Sequence, residues 1–357
     1  MGNTQSYIVV SLSVCAVYLG YVYIYCSYKL LKTNILNSDR LPSFIYLYIK
    51  YWTRALTRRT GYLYTTTATN TRDAVYSVLK CRLETPLLRS FCSAAGYGWD
   101  YPDSEFRDIP LCFPEFLCAR LLLMVLTDEN FRLSPAGLVR VRHSLKSLQP
   151  IDELKKGPFM LQVQVLEYQH IDAGVEVDIG LSATSRTGSR VWESVLTLLS
   201  KDELHKGNMC FLKNETKNEH QPDQPGESVA ENMKQVELRV PWSTGLKCVW
   251  LSSHYSPYWL LSLPAMLFGY RSYITPSLWM FSVCLAEIEK HRGVEVITAP
   301  ITITAQFKEP LSVPGSVMID FWDTVKNGAQ SPAQGLKFHM RQHGSKMSHM
   351  VGLISRP

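Results

Sequence analysis

Histidine is the side chain that exchanges protons most readily near neutral pH, and most of the nine histidines of this sequence lie in its second half. His254 stands in the segment 251–259 (LSSHYSPYW), where an imidazole could act as a general base. Pairing His254 and Tyr255 with a distant serine would predict a hydrolase, but the sequence has no G-x-S-x-G motif. It also has no P-loop and no G-x-G-x-x-G motif after a strand, so we predict no cofactor.

Three further histidines, His339, His343 and His349, lie near the C-terminal end at spacings of four and six residues. Imidazoles can ligate zinc, but no cysteine or carboxylate joins these three. We therefore expect ordinary histidines in an exposed, basic hairpin loop and no metal site. The nine cysteines include no C-x-x-C pair, which argues against a zinc site or a disulfide framework and fits reduced thiols facing the cytosol.

Two apolar helices are the elements that would position this chemistry. Residues 115–126 (EFLCARLLLMVL) and 276–289 are apolar on nearly every side, which is typical of helices covered over most of their surface. Thr275 could cap the second helix, with Pro276 in its first turn. Period-2 alternation then predicts strands at 138–143, 159–166, 175–181, 191–199, 301–308, 316–322, 336–341 and 347–354.

Each half therefore has one buried helix and about four strands, which an antiparallel sheet wrapped around a central helix would satisfy. Two such halves side by side predict an α+β fold, a double hotdog with one sheet around two central helices. We place the first unit at 106–200, a polar linker at 201–235 and the second unit at 236–357. Residues 31–105 are predicted to be a basic lead-in, with a helix at 72–80.

Four segments of the chain resemble the MaoC-like (R)-specific enoyl-CoA hydratases and 3-hydroxyacyl thioester dehydratases. Residues 251–259 are similar to that family's S-G-D-x-N-P-[IL]-H loop, and residues 268–279 to its G-F…I-A-H-G-M-W segment. Residues 306–315 (QFKEPLSVPG) resemble its F-K-x-P-[LV]…P-G strand and turn, and residues 191–194 resemble a strand of its degenerate partner unit. The resemblance covers residues 105–357 and implies that the first unit is the degenerate one.

The resemblance also implies a chemistry, from which this chain departs. In the family, a loop Asp and a loop His activate water for addition to a trans-2-enoyl thioester, while a helix N-terminus polarises the thioester carbonyl. Here His254 stands at the Asp position, Trp259 at the His position and Ser256 at the Asn position. Pro276 and Ser277 replace the His and Gly at the helix start, and Pro276 would remove one N–H donor there. Loss of one of two cooperating acid–base groups typically costs about 10²–10⁴-fold in rate.

We therefore predict a protein that binds acyl thioesters of the acyl-CoA type and is impaired as a hydratase or dehydratase. His254 is the candidate catalytic residue, and Trp259 is its inactive neighbour. The candidate substrate-binding residues are Ser253, Tyr255, Ser256, Pro276, Ser277 and Leu278. Two alternatives remain open: an active hydratase or dehydratase that uses His254, and a non-catalytic membrane adaptor whose cleft is filled by Tyr258 and Trp259.

An uncharged stretch near the N-terminus, residues 7–28, is long enough to cross a membrane, since such a helix spans about 33 Å. Residues 1–6 carry no Lys or Arg, which argues against a cleaved signal peptide. We predict a single-pass anchor at residues 1–30. The basic residues after it are Lys29, Lys32, Arg40, Lys50, Arg54, Arg58 and Arg59. They place the soluble part in the cytosol and could contact the headgroups of membrane lipids.

Composition and the first residues add three expectations. The chain is 46% apolar, which is enough for a folded core, and its net charge of +6 does not predict nucleic-acid binding. The endoplasmic reticulum is the organelle we expect, by association with other single-pass anchors of lipid-processing proteins. Residues 1–6 (MGNTQS) also fit the N-myristoylation pattern, which would need a cytosolic N-terminus and so conflicts with the charge rule.

Overall fold

A computed structural model describes residues 2–65, 74–97, 109–202, 233–241, 273–324, 335–344 and 347–356 of the 357-residue chain. Its helices are α1 Gly2–Leu19, α2 Cys26–Leu31, α3 Phe44–Thr57, α4 Thr85–Ala94, α5 Phe113–Leu117, α6 Ala119–Leu126 and α7 Ser277–Arg292. A π-helical segment, Gly20–Tyr25, joins α1 to α2, and short 3-10 helices lie at Ile151–Lys156 and Val294–Ile297.

Thirteen strands are described. They are β1 Ile35–Asn37, β2 Val75–Cys81, β3 Leu138–Ser147, β4 Phe159–Ile171, β5 Gly174–Thr184, β6 Arg190–Lys201, β7 Lys234–Val240, β8 Tyr273–Ile274, β9 Ile301–Phe307, β10 Ser312–Val313, β11 Gly315–Thr324, β12 Gly335–Gln342 and β13 Ser348–Ser355. All eight strands predicted from alternation are confirmed, most of them extended by a few residues at one or both ends.

Eleven of these strands form one sheet in the order β1-β2-β4-β5-β6-β3-β9-β13-β12-β11-β7. Every pairing in it is antiparallel except the pairing of β1 with β2 at one edge. The two halves of the chain meet where β3 pairs with β9, with Leu145 opposite Ile303. Both side chains are fully buried. The sheet is therefore continuous across the two halves, as predicted.

The two apolar segments are the helices at the centre of the fold. In α7 every residue from Leu278 to Glu289 is buried, and in α6 only Arg120 is not. The predicted helix at 115–126 is interrupted at Cys118, so that it becomes α5 and α6. α7 ends where Gly293 adopts a φ of +88°, a conformation that glycine adopts without a steric penalty.

The prediction of a helix at 72–80 is wrong, because residues 75–81 form β2. Tyr76 and Val78 are buried while Ser77 and Leu79 are half-buried, so the segment has the period-2 pattern of a strand. β2 pairs with β4 and extends the sheet of the first half, and α3, β1 and α4 also lie in the region predicted to be a lead-in. The domain boundaries stay predictions, and residues 203–232 of the predicted linker lie outside the described residues.

The N-terminal helix is mostly unburied. The helical stretch Val10–Leu31 has 22 residues. Only 6% of its most apolar part is buried. It is, among the described residues, the one helix long and apolar enough to cross a membrane. This helix begins and ends three residues later than the uncharged stretch 7–28 found in the sequence.

Candidate functional site

The predicted site has two parts, and the structure describes one of them. The loop residues Ser253, His254, Tyr255, Ser256 and Trp259 lie outside the described residues, so their positions stay predictions. The other part is the start of α7, where Pro276, Ser277 and Leu278 were predicted to contact substrate.

A short two-stranded ribbon positions the start of α7. β8 pairs with β10, so that Ile274 lies opposite Ser312 and Tyr273 opposite Val313. The next residue, Thr275, donates its backbone N–H to the carbonyl oxygen of Leu311 at 2.8 Å. The chain therefore enters the helix from a hydrogen-bonded strand, which fixes the direction in which the first turn points.

Pro276 is the N-cap of α7, with extended backbone angles of φ −59° and ψ 137°. Its carbonyl accepts the N–H of Trp279 at 3.0 Å. The N–H groups of Ser277 and Leu278 have no acceptor within the helix, because they lie in its first turn. The missing N–H of Pro276 lies before the first turn, so it removes none of these donors. The expected loss of a donor therefore does not affect the first turn of the helix.

The prediction that Thr275 caps α7 is wrong, since the N-cap position belongs to Pro276 and has no side-chain cap. Thr275 is nevertheless buried, and its Oγ1 has no hydrogen-bond partner among the described residues. A buried hydroxyl without a partner is costly, and its position next to a helix N-terminus needs an explanation. An ordered water or a ligand could supply the partner.

The first turn of α7 also contacts α4, which no sequence pattern predicted to lie there. The indole Nε1–H of Trp279 donates to the carbonyl oxygen of Ala94 at 2.8 Å, at the C-terminal end of α4. Gly96, just after α4, adopts a φ of +84° and lies close to Val283 of α7. Residues from the predicted lead-in therefore form one wall beside the start of α7.

A second polar cluster lies at the seam between the halves, and sequence reasoning missed it. The Arg140 guanidinium on β3 lies 2.6 Å from Glu115 Oε1 on α5. His143 Nε2, also on β3, lies 2.7 Å from Ser194 Oγ on β6 and 3.3 Å from Glu115 Oε2. The ring of Phe281 on α7 packs against His143 with 4.5 Å between ring centroids. The cluster thus joins α5, β3, β6 and α7.

Although it contains a Glu, a His and a Ser, this cluster is not arranged as a hydrolytic triad. A triad needs the carboxylate on one imidazole nitrogen and the hydroxyl on the other, whereas here both face Nε2. Burial lowers the pKa of His143 well below 6.5, and Arg140 lowers it further, so the imidazole is neutral. Burial also raises the pKa of Glu115, and Arg140 opposes that rise. We interpret the cluster as a polar part of the core.

The C-terminal histidines are held within the sheet. His349 is buried on β13, with Nδ1 3.1 Å from the carbonyl oxygen of Glu309 and Nε2 3.0 Å from Gln342 Oε1. His339 on β12 pairs with Ser348 Oγ at 2.8 Å. The expectation of an exposed loop is therefore wrong for these two residues, and only His343 is exposed in the turn between the strands. No group of three or more potential metal ligands is found among the described residues.

A cavity of about 1220 Å³ has no residue of α7 in its lining. Its lining residues all belong to the first half of the chain, between residues 38 and 161. Leucines line much of it, together with the cations Lys80, Arg82 and Arg120 and the carboxylates of Asp39 and Glu84. Since charges of both signs lie in its wall, the cavity does not favour one kind of ionic ligand.

No protein-family model matches the sequence, and the comparison with curated proteins gives no match. Solved structures do match. HtdX of Mycobacterium tuberculosis superposes with a TM-score of 0.57 at 14% identity, covering 78% of this chain and 98% of that chain. A MaoC-like dehydratase from Phytophthora capsici gives 0.58 at 13% identity, covering 80% and 95%.

A third similar structure is the full-length peroxisomal multifunctional enzyme type 2 of Drosophila melanogaster. It matches with a TM-score of 0.55 at 13% identity over 79% of this chain and 48% of that chain. At these identities the comparisons establish the fold. The continuous sheet, its two central helices and these three likenesses together show that the chain has the double-hotdog fold of the MaoC-like dehydratases.

Proposed function

We propose that this protein is a membrane-anchored double-hotdog protein that binds an acyl thioester at the start of α7 and is impaired as a hydratase. The observation that carries the proposal is the first turn of α7. There, the N–H groups of Ser277 and Leu278 have no acceptor within the helix. The buried hydroxyl of Thr275 stands beside them without a partner among the described residues.

These groups suit a thioester carbonyl. Backbone N–H groups at a helix N-terminus, together with the helix dipole, stabilise negative charge that develops on an oxygen placed there. The flanking β8–β10 ribbon and the contact of Trp279 with Ala94 hold the first turn in place without a ligand. A site that is rigid before binding loses less conformational entropy when the ligand arrives.

The proposed impairment rests on the loop residues. Hydration of an enoyl thioester needs one proton to leave water and one to reach the substrate α-carbon. His254 could carry out one of these transfers, but the indole of Trp259 can carry out neither. The acyl thioester would therefore bind and turn over slowly or not at all.

The membrane part of the proposal rests on the helix Val10–Leu31. The basic residues that follow it favour a cytosolic location for the double hotdog by the positive-inside rule. Membrane lipids would then surround the helix, and the endoplasmic reticulum remains the organelle we propose. Acyl thioesters made in the cytosol would reach the site without crossing a membrane.

The test uses the full-length protein in lipid nanodiscs with crotonyl-CoA and a longer trans-2-enoyl-CoA. Loss of enoyl absorbance measures turnover, and calorimetry with a saturated acyl-CoA measures binding. We expect binding without steady turnover. Turnover would favour the active hydratase that uses His254, and the absence of both would favour the non-catalytic adaptor.

A further inference from the structure

The outer face of α3 carries a row of apolar side chains, most of which the described structure leaves exposed. Ile45, Ile49 and Leu56 are 56%, 49% and 80% exposed, and Trp52 between them is half-buried and packs partly against the core. Their spacings of four, three and four residues place them along one side of a helix. We call these four residues the α3 stripe.

The opposite face of α3 is fixed to the double hotdog. Leu47 and Tyr51 are buried, and the Tyr51 hydroxyl donates to the carbonyl oxygen of Pro135 at 3.0 Å. The guanidinium of Arg120 on α6 stacks over the ring of Phe44, 3.9 Å from its centroid. The stripe is thus held outward by a helix whose other side is anchored in the core.

Two of the basic residues predicted to face lipid headgroups help to make this anchor. Arg54 donates to the backbone carbonyl of Asp128. Arg58 donates to the carbonyls of Phe131 and Leu133. Their side chains therefore point into the protein, which corrects the sequence-based expectation for these two. Lys29, Lys32 and Arg59 remain exposed around α3.

α3 also lies against the end of the candidate membrane span. Ser43, the N-cap of α3, donates its backbone N–H to Ser27 Oγ at 2.8 Å, and Ser27 and Leu31 of α2 are buried. If Val10–Leu31 crosses the membrane, this contact places the start of α3 close to the bilayer surface. The position of α3 is therefore continuous with the proposed membrane contact.

The distribution of exposed apolar residues agrees with this position. Outside the N-terminal helix the large exposed apolar side chains of the described residues are Ile35, Ile45, Ile49, Leu56, Tyr62, Leu148, Leu166 and Met347. The first five of these belong to residues 35–62, which form a small part of the chain. Three of them, Ile45, Ile49 and Leu56, lie on one side of α3, and an exposed apolar row of this kind is typical of a surface that contacts something apolar.

We propose that α3 lies in the plane of the membrane surface, with the α3 stripe inserted between the lipid headgroups and the first acyl carbons. Amphipathic helices bind this interface through an apolar face, with basic residues at the headgroup level. The inference rests on the proposed membrane span. It adds a second attachment, which holds the double hotdog in one orientation on the bilayer instead of leaving it on a loose tether.

Photo-crosslinking in vesicles tests this proposal on the full-length protein. Ile49, Leu56, Val14 or Leu166 is replaced by p-benzoyl-phenylalanine, and the protein is reconstituted into phosphatidylcholine–phosphatidylserine vesicles that contain an alkyne-tagged lipid. Val14 lies in the span, and Leu166 on β4 is as exposed as Ile49. We expect Ile49 and Leu56 to crosslink lipid nearly as well as Val14 and several-fold better than Leu166.

Three other outcomes would overturn the proposal. Lipid labelling at Ile49 and Leu56 no higher than at Leu166, with Val14 labelled, would remove the surface helix and leave the span intact. Crosslinking of Ile49 to a second copy of the chain would show that the stripe is a protein interface. Absence of lipid labelling at Val14 would remove both the span and the attachment through α3.

Discussion

Glu115 on α5 and Arg140 on β3 form an ion pair of 2.6 Å whose side chains are only 2% and 6% exposed. The pair lies beside the line where β3 of the first half meets β9 of the second. Removing one charge of a buried pair leaves the other uncompensated. The pair therefore makes the seam between the halves sensitive to substitution.

Arg140→Met should destabilise the fold by about 3–5 kcal/mol, because Glu115 would remain buried without its cation. Arg142→Met is the matched control, since Arg142 also pairs with a carboxylate, Glu176, but its own side chain is 51% exposed. That change should cost about 1 kcal/mol or less. Denaturant unfolding in detergent, followed by tryptophan fluorescence, measures both. Equal losses in the two variants would contradict the buried pair.

Stability should fall as the pH drops below about 6.5, because His143 is neutral in the folded state and is protonated in the unfolded chain. The sign follows from a folded-state pKa below the unfolded one. The unfolded chain binds more protons, so acid favours it by up to about 1.4 kcal/mol per pH unit for this group. Burial also lowers the pKa of His339 and His349, which adds to the slope.

His143→Gln should flatten this pH dependence, whereas His343→Gln at an exposed turn should leave it unchanged. The free energy of unfolding at pH 5.5 and pH 7.5 distinguishes them. If the slope of His143→Gln equals that of the unsubstituted protein, the buried imidazole is not its source.

Sequence patterns were sufficient for eight of the thirteen described strands and for α7, because a strand with one buried face alternates and a covered helix is apolar all round. They did not predict β1, β2, β7, β8 and β10. Helix α6 was likewise predictable, because residues 119–126 are almost all apolar. The polar cluster was not predictable, since Glu115 and Arg140 are 25 residues apart, and His143 and Ser194 are 51 apart. A charged Glu115 at the head of an apolar helix was the one signal that it needs a buried partner.

The role of α4 could not be predicted either. Its contact with α7 through Ala94 and Trp279 joins residues 185 positions apart, and no local pattern reports such a contact. The helix assigned to 72–80 failed for a different reason. The segment is short, and its residue types do not alternate because Leu79 is apolar like Val78. The period of two appears only in the burial of Tyr76 and Val78.

Thr275→Val should weaken acyl-CoA binding about three- to tenfold, because it removes the hydroxyl that stands beside the start of α7 and is available to a ligand. Thr304→Val makes the same chemical change on an exposed position of β9 and should have no effect. Calorimetry with a saturated acyl-CoA gives the two dissociation constants. If Thr275→Val binds acyl-CoA as tightly as the unsubstituted protein or more tightly, the hydroxyl has no role in the site.

Replacing both loop residues by the family's Asp and His should restore some hydratase activity if the alignment with the hydratase loop holds. The double change His254→Asp with Trp259→His recreates the carboxylate and the imidazole that share proton transfer. Measurable loss of enoyl absorbance is expected from the double variant and not from either single change. A folded double variant without turnover would contradict the alignment of residues 251–259 with the hydratase loop.

The proposed binding site is tested most directly by deleting one backbone N–H at the start of α7. Ser277→Pro removes that donor at a position where helices accept proline, and Pro276 already has the extended backbone that a following proline requires. Ser277→Ala keeps the N–H and removes the hydroxyl. By calorimetry with a saturated acyl-CoA, we expect Ser277→Pro to bind about tenfold more weakly and Ser277→Ala to bind like the unsubstituted protein. Unchanged binding in a folded Ser277→Pro variant would contradict the proposal that the first turn of α7 holds the thioester.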